Sequence, residues 1–445
     1  MYIKTLQLEN VRSFTDLSFD LERPGGIFAG WTVFVGGNSS GKSTILRSAA
    51  LALIGPETGG RLMGSPAGWI HKGQSKASAV LGIKWDKESD KFKKGGGGNL
   101  KEIFETGVRW VTEKKEDEIP YFRAVDKRNA AGGRIQTPER GPWSPNSSGW
   151  FSAGYGPMRR LSGSSPEAMR HSTSKDAESR FVTLFREDAA LSESEEWLRR
   201  MHARSLESSS NEIRKVLEGV QALMGDGLLP HGMKISRITV DHVFVEDGHD
   251  VDLPMRDISD GCRSIYATIL DLVHGLYEVY GVDGLFETDD QGRVVIARPG
   301  VVIIDEIEAH LHPSWQRDIP EWLKIHFPKI QFLVSTHSPL IAQAADPNGL
   351  FILPLQADDD QVARPATDAE YERIRWGNAH KTILGVAFGL KTTRTKWASQ
   401  QLKRWQELNA KHHEGIPLEK AEDREFKSLK QQLELALDGA PMETL

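Results

Sequence analysis

The stretch GGNSSGKST (36–44) sets Gly36, Gly41, Lys42 and Ser43 at the spacing of a phosphate-binding loop. Glycines let backbone N–H groups close around phosphate oxygens, and the start of the helix that follows adds partial positive charge. Lys42 would reach the outer phosphates of ATP, and the Ser43 hydroxyl, with Thr44 beside it, would face the phosphates and a Mg²⁺ ion.

Three further stretches carry chemistry. VVIIDEIEAHLHP (301–313) ends an apolar run in two carboxylates. Asp305 would enter the Mg²⁺ shell, while Glu306, pointing elsewhere, would polarise an attacking water. FLVSTHSPLI (332–341) puts His337 just past a second apolar run, where an imidazole can bond the γ-phosphate or that water. ISDGCRSIYATILDL (258–272) sets Ser259, Asp260 and Gly261 directly before an apolar-periodic run. Ser259 there suits an N-cap, and a helix start can also receive an anion.

The elements that must hold these residues follow from periodicity. YIKTLQLENVRSF alternates as a strand, and GIFAGWTVFVG (26–36) is a second strand leading into the Gly-rich turn and a helix over 43–55. Strands are also expected at 78–85, 106–112, within 149–161 and over 234–247. The apolar runs at 300–305 and 331–336 suit strands buried on both faces of a sheet. Residues 86–157 carry Gly-, Pro- and Ser-rich loops, and 176–224 reads as a short helical insertion without sustained heptads. Residues 365–445 read as helical, ending in an antiparallel pair broken at Gly-Ile-Pro. The resulting division is an ATPase lobe over 1–160, an inserted helical arm over 161–233, a second ATPase lobe over 234–355 and a C-terminal helical segment over 356–445.

Composition bounds the class. The 445 residues are 39% hydrophobic and 27% charged, with a net charge of −6. Such a chain is globular, and it carries no overall positive field to steer nucleic acid. Basic spots such as KFKK (91–94), MRRL (158–161) and KTTRTK (391–396) read as solvated surface. The single cysteine, Cys262, can form neither an intrachain disulfide nor a Cys-based zinc cluster. No apolar run long enough for a membrane span occurs, so a cytoplasmic location without membrane contact is expected.

The order of phosphate loop, long insertion, Ser-Asp-Gly helix start, Asp-Glu strand end and histidine strand end resembles the ABC-type ATPases of the SMC, Rad50 and RecF group. The likeness is closest to compact OLD-like bacterial ATPases, on DEIEAHLHPSWQ and STHSP, and it covers 1–45 and 250–345. It implies an α/β P-loop NTPase of ABC/SMC-head type. It also implies that Arg12 and Ser13 of ENVRSF lie near the nucleotide, and that Asn38 faces the γ-phosphate and an opposite subunit. Ser259 and Gly261 take the Ser and second-Gly positions of the ABC signature, and residues 308–313 take the D-loop position. The Q-loop glutamine has no clear counterpart. Gln74 is one alternative, and Arg159 or Arg160 near the expected position is another.

The resemblance further implies ATP and Mg²⁺ as cofactors and a homodimer, or higher homo-oligomer, closing around two ATP molecules. OLD-like ATPases lacking their own nuclease are similar to ATPase subunits of anti-phage systems of the Septu kind, which implies a separately encoded nuclease or effector as partner. A RecF-like repair ATPase acting on DNA and a slowly turning nucleotide-gated scaffold are the alternatives. ADDDQ (357–361) has no second carboxylate strand beside it, so no nuclease centre is read.

Overall fold

The computed structural model describes residues 1–93, 101–112, 120–125, 137–145, 148–173, 177–207, 210–229, 232–249, 251–354, 362–379, 382, 385, 387–388 and 392–436. The acidic loop 357–361 and most of KTTRTK's neighbourhood at 389–391 lie outside them. Contacts divide the chain into two units, Met1–Thr382 with Val386–Phe388, and Ile383–Gly385 with Gly389–Leu445. The first unit therefore runs beyond the expected boundary at 356. Among the described residues no helix is long and apolar enough to cross a membrane.

The first unit is built on two sheets. Strands β1 (Tyr2–Val11), β2 (Phe14–Asp20), β4 (Lys76–Lys84), β5 (Ile103–Val111) and β6 (Tyr121–Ala124) form an antiparallel sheet in the order β2-β1-β4-β5-β6. The other sheet takes β3 (Gly30–Val35), β7 (Ser152–Tyr155), β13 (Gly300–Ile304), β14 (Ile330–Thr336), β15 (Leu350–Ile352) and β16 (Arg364–Pro365), in the order β16-β15-β3-β14-β13-β7. All its neighbours are parallel except β15 and β16. Every residue of β13 and β14 is buried, as their continuous apolar runs require. Their parallel register, Ile304 beside Val334, brings the carboxylates after β13 and His337 after β14 to one sheet edge.

Helix α1 (Lys42–Met63) lies between the sheets, and its first three turns are buried on nearly every side. Gly55, with φ 81°, breaks it ahead of Pro56. A side chain at Gly55 would meet the Trp143 ring at 2.7 Å. The helix expected over 43–55 thus ends where the sequence places it, and a second helical piece continues to Met63.

Short helices α2 (Thr137–Arg140), α3 (Pro166–Ser172) and α4 (Val182–Phe185) precede α5 (Ser192–Glu207) and α6 (Asn211–Gly225). The segment expected as an inserted helical arm packs within the first unit. Trp197, Leu198 and Met201 of α5 and Val216, Val220 and Leu223 of α6 enter the large core beneath the parallel sheet. The strand texture at 234–247 resolves into β8 (Lys234–Ile238) and β9 (Val243–Glu246), joined to β10 (Asp252–Pro254). Helix α7 (Asp260–Tyr280) follows. After the two-residue strands β11 (Glu287–Thr288) and β12 (Val294–Val295) and strand β13, α8 (Pro313–His326) crosses to β14, with α9 (Pro339–Gln343) and α10 (Asp368–Trp376) behind it. In the second unit, helices Lys396–His413 and Lys420–Ala436 bury Leu402, Trp405, Leu408, Phe426 and Leu429 between them.

One side chain stitches the two sheets. The β1–β4 register shifts between Ile3 and Thr5, and there Gln331 of β14 reaches across. Its carbonyl accepts from the Ile3 N–H at 2.7 Å and its amide donates to the Ile3 carbonyl at 2.9 Å, with Gln331 fully buried. Gln331→Leu leaves two backbone groups unpaired in the core. Urea unfolding should show a loss of about 2–4 kcal/mol; an unchanged midpoint would mean these bonds are replaced by water.

Candidate functional site

A cavity opens at the shared edge of the parallel sheet, lined by Arg12, Ser13, Asn38, Ser39, Ser40, Gly41, Lys42, Ser43, Thr44, Glu306 and His337. Its floor is the turn between β3 and α1. Gly41 sits at φ 96°, and a Cβ there would meet the Phe14 ring at 2.5 Å, so only glycine lets β2 and the loop approach this closely. Lys42 is buried, and its ammonium donates to the carbonyls of Gly36 at 3.0 Å and Gly37 at 2.8 Å. Two of its three donors are thus committed to the loop, and one is left for a ligand oxygen. Burial pushes its pKa down, and Asp305, Glu306 and Glu308 push it back up.

Arg12 enters from the turn after β1 with φ 51°. Its guanidinium lies 4.3 Å from the centroid of the Trp69 ring and donates to the Thr44 hydroxyl at 3.3 Å. Trp69 is in turn stacked on Trp110 at 4.9 Å. The cation is therefore held at the cavity wall by a rigid aromatic stack rather than by a flexible tether. Ser13, beside it, also lines the cavity.

The carboxylates do not simply alternate off a strand. Strand β13 stops at Ile304, Asp305 is buried, and Glu306 adopts φ 46°. That left-handed turn swings the Glu306 side chain into the cavity with Lys42 and His337. Ser335 of β14 holds both residues. Its hydroxyl donates to Asp305 Oδ1 and accepts from the Glu306 N–H at 2.8 Å. The loop beyond is tied to the histidine: Glu308 accepts from the His337 N–H and, at 2.7 Å, from the Thr336 hydroxyl. Ser338 extends the link to Gln316 of α8 at 2.6 Å. Glu308, Ser335, Ser338 and Gln316 escape sequence reasoning, because their roles are set by cross-strand neighbours and no spacing marks them.

The Ser259 helix start stands apart from this cavity. Ser259 and Asp260 are exposed, and neither lines it. Ser259 occupies the N-cap position of α7, but its side chain caps no backbone N–H; the hydroxyl donates to Cys262 Sγ at 3.0 Å. The expected capping bond is therefore absent. A Cβ on Gly261 would lie 2.5 Å from the His310 carbonyl, so this glycine serves a close approach of α7 to the loop after Glu306. Of the residues weighed for the Q-loop, Gln74 is exposed in the turn before β4 and does not line the cavity. Arg160 is exposed, and Arg159 is buried beneath the Asp-Glu turn.

Residues 31–342 match the family model described as AAA domain, putative AbiEii toxin, Type IV TA system. The chain belongs to this AAA-domain family. Its relatives include the Septu protein PtuA of Bacillus mycoides strain KBAB4, 25% identical over 341 residues that cover 76% of this chain and 38% of that protein. A Septu protein PtuA of Bacillus thuringiensis is 30% identical over 38% of this chain and 41% of that protein, and the retron Ec83 probable ATPase of Escherichia coli is 33% identical over 27% and 20%. The chain thus spans well under half the length of these relatives. A solved SMC head bound to the C-winged helix domain of ScpA aligns at a TM-score of 0.46 and 15% identity, over 82% of this chain and 98% of that one. A phosphate loop between β3 and α1 on a parallel sheet is the expected α/β P-loop NTPase fold, and AAA-family membership makes ATP the fitting nucleotide.

The donor set suits Mg²⁺, which takes hard oxygen ligands and few of them from protein. Ser43 lines the cavity, while Asp305 is buried outside its lining with Oδ1 bonded to Ser335, so it is Oδ2 that would be offered to the ion. When bound, the ion would neutralise phosphate charge. Lys42→Ala should abolish ATP binding in equilibrium filtration; retained affinity would argue against the phosphate-loop assignment. Burial, then the charge on Lys42, lowers the His337 pKa below the ordinary 6.5, so the imidazole is neutral at pH 7. Its protonation below that pH should then lower turnover, while kcat should stay level between pH 7 and about 8. A kcat that rises through pH 7 would contradict a neutral His337.

Proposed function

We propose that the chain hydrolyses ATP at a site completed by a second copy of itself. The carrying observation is the split geometry: the phosphate loop, Arg12, Glu306 and His337 share one cavity, while the exposed start of α7 at Ser259 lies outside it. Positive helix-end charge and an unshielded Ser259 suit the γ-phosphate of ATP held by the partner chain. Within one chain, Asn38, Lys42, Ser43 and Thr44 bind and orient the phosphates. Glu306 accepts a proton from the attacking water, and neutral His337 orients that water or the γ-phosphate.

ATP binding would close the dimer and hydrolysis would reopen it. The Septu and retron relatives support a role in bacterial anti-phage defence, with a separately encoded effector reading the closed state. Glu306→Gln keeps the Mg²⁺ ligand but loses the base. It should retain ATP, accumulate a dimer in light scattering and lower kcat by about 100-fold or more. Unchanged steady-state hydrolysis would sink the reading of Glu306. Ser259→Arg should spare ATP binding yet block ATP-dependent association; a variant that still dimerises with ATP would remove α7 from the site.

A further inference from the structure

The segment after β7 runs Gly156-Pro157-Met158-Arg159-Arg160, and its first arginine is sealed inside the protein. Among the described residues, Arg159 meets no carboxylate directly. Its Nη1 donates to the carbonyls of Gly156 at 2.8 Å and Asp305 at 3.1 Å, and its Nη2 donates to those of Glu306 at 3.2 Å and Ile307 at 3.1 Å. Three consecutive carbonyls of the Asp-Glu turn therefore converge on one planar fork. Burying a guanidinium is costly, and backbone carbonyls alone are modest compensation. The nearby charges of Glu308, Asp305 and Glu306 favour its charged form, although burial still pulls its pKa down to about 10.

Of the three turn residues held by Arg159, Glu306 is the one at positive φ. It stands at φ 46°, the left-handed region that disfavours a residue with a Cβ. Ser335 fixes its N–H, and Arg159 with the Ala309 N–H fixes its carbonyl. Held at both ends, the peptide keeps the left-handed turn that sends the Glu306 carboxylate into the cavity.

The geometry points to Arg159 as the positioning residue for Glu306, acting from behind the backbone and outside the cavity lining. This rests on the reading of Glu306 as the base. It also supplies a path from the inserted helices. The Arg160 carbonyl accepts from Leu191 N–H at 2.6 Å, and Arg160 bridges Ala190 in parallel, directly before α5. Four residues before Arg159, the Tyr155 carbonyl accepts from the Asp305 N–H at 2.8 Å, and the Tyr155 hydroxyl donates to Asp271 of α7 at 3.0 Å. A displacement of α5 or α7 therefore reaches Glu306 through the strand-to-arginine segment. Any partner gripping the inserted helices would act on turnover through this path.

The test uses the full chain. Arg159→Lys keeps the charge and much of the volume but loses the planar fork. Its melting temperature, ATP affinity, KM and kcat are measured beside Glu306→Gln and the double variant. The expected result is ATP affinity within about 3-fold of wild type and a kcat lowered by about 100-fold, the scale of a misplaced reacting group. The double variant should be no slower than Glu306→Gln alone, since both changes disable one group. A well-folded Arg159→Lys with wild-type kcat, beside an inactive Glu306→Gln, overturns this inference and leaves the base assignment standing. Full hydrolysis by Glu306→Gln overturns the base assignment itself. Should Arg159→Lys melt far lower, Arg159→Gln decides by the same split, and parallel losses in ATP affinity and kcat overturn the positioning role.

Discussion

Glu306 can face the nucleotide cavity only because its backbone turns left-handed at the end of β13. Two neighbours keep it there: a serine hydroxyl from β14 and an arginine fork from the segment after β7. Every other part of the site is arranged around that turn. The parallel register of β13 and β14 delivers Ser335 beside it, and Glu308 in the same loop holds the His337 backbone. Asp305, Glu306 and the His337 backbone are thus members of one hydrogen-bonded unit, which is why single changes within it should act far beyond their own contacts.

The scaffold supplies rigidity by burying the phosphate-loop helix between two sheets. Packed on both sides, α1 holds the loop at its start in place, and Gln331 bonds one sheet to the other across the core. The phosphate loop after β3 and the Asp-Glu turn after β13 then flank β14 at one end of the parallel sheet, so their spacing is set by strand pairing rather than by loop flexibility. Arg12 is added from the second sheet, braced on Trp69.

Much of this was legible in the sequence because it is written in local chemistry. The phosphate loop depends on glycine spacing, and the buried strands announce themselves as unbroken apolar runs. The division of α1 at Gly55 and Pro56 is likewise a local signal. What stayed hidden depends on partners distant in the chain. Ser335 gains its role from a residue 30 positions away, and Arg159 from residues nearly 150 positions away. Ser259 misled in a different way. Its position before α7 is right for a cap, yet the hydroxyl turns to Cys262, leaving a bare helix start. The packing of the inserted helices stayed hidden too, because an amphipathic pattern does not name the surface it covers; Trp197 and Val220 fill the core beneath the sheet.

If two chains build each nucleotide site, one giving the phosphate loop and the other the start of α7, two chains damaged in different halves should complement each other. Mixing two inactive chains tests it directly. A Lys42→Ala chain lacks the loop ammonium but keeps its α7 start, and a Ser259→Arg chain keeps the loop but blocks α7. In a mixed dimer one site combines the intact halves of both. The account predicts that hydrolysis, absent from either protein alone, returns on mixing and rises with the concentration of whichever chain is limiting. A mixture of folded proteins that stays as inactive as its components would contradict it.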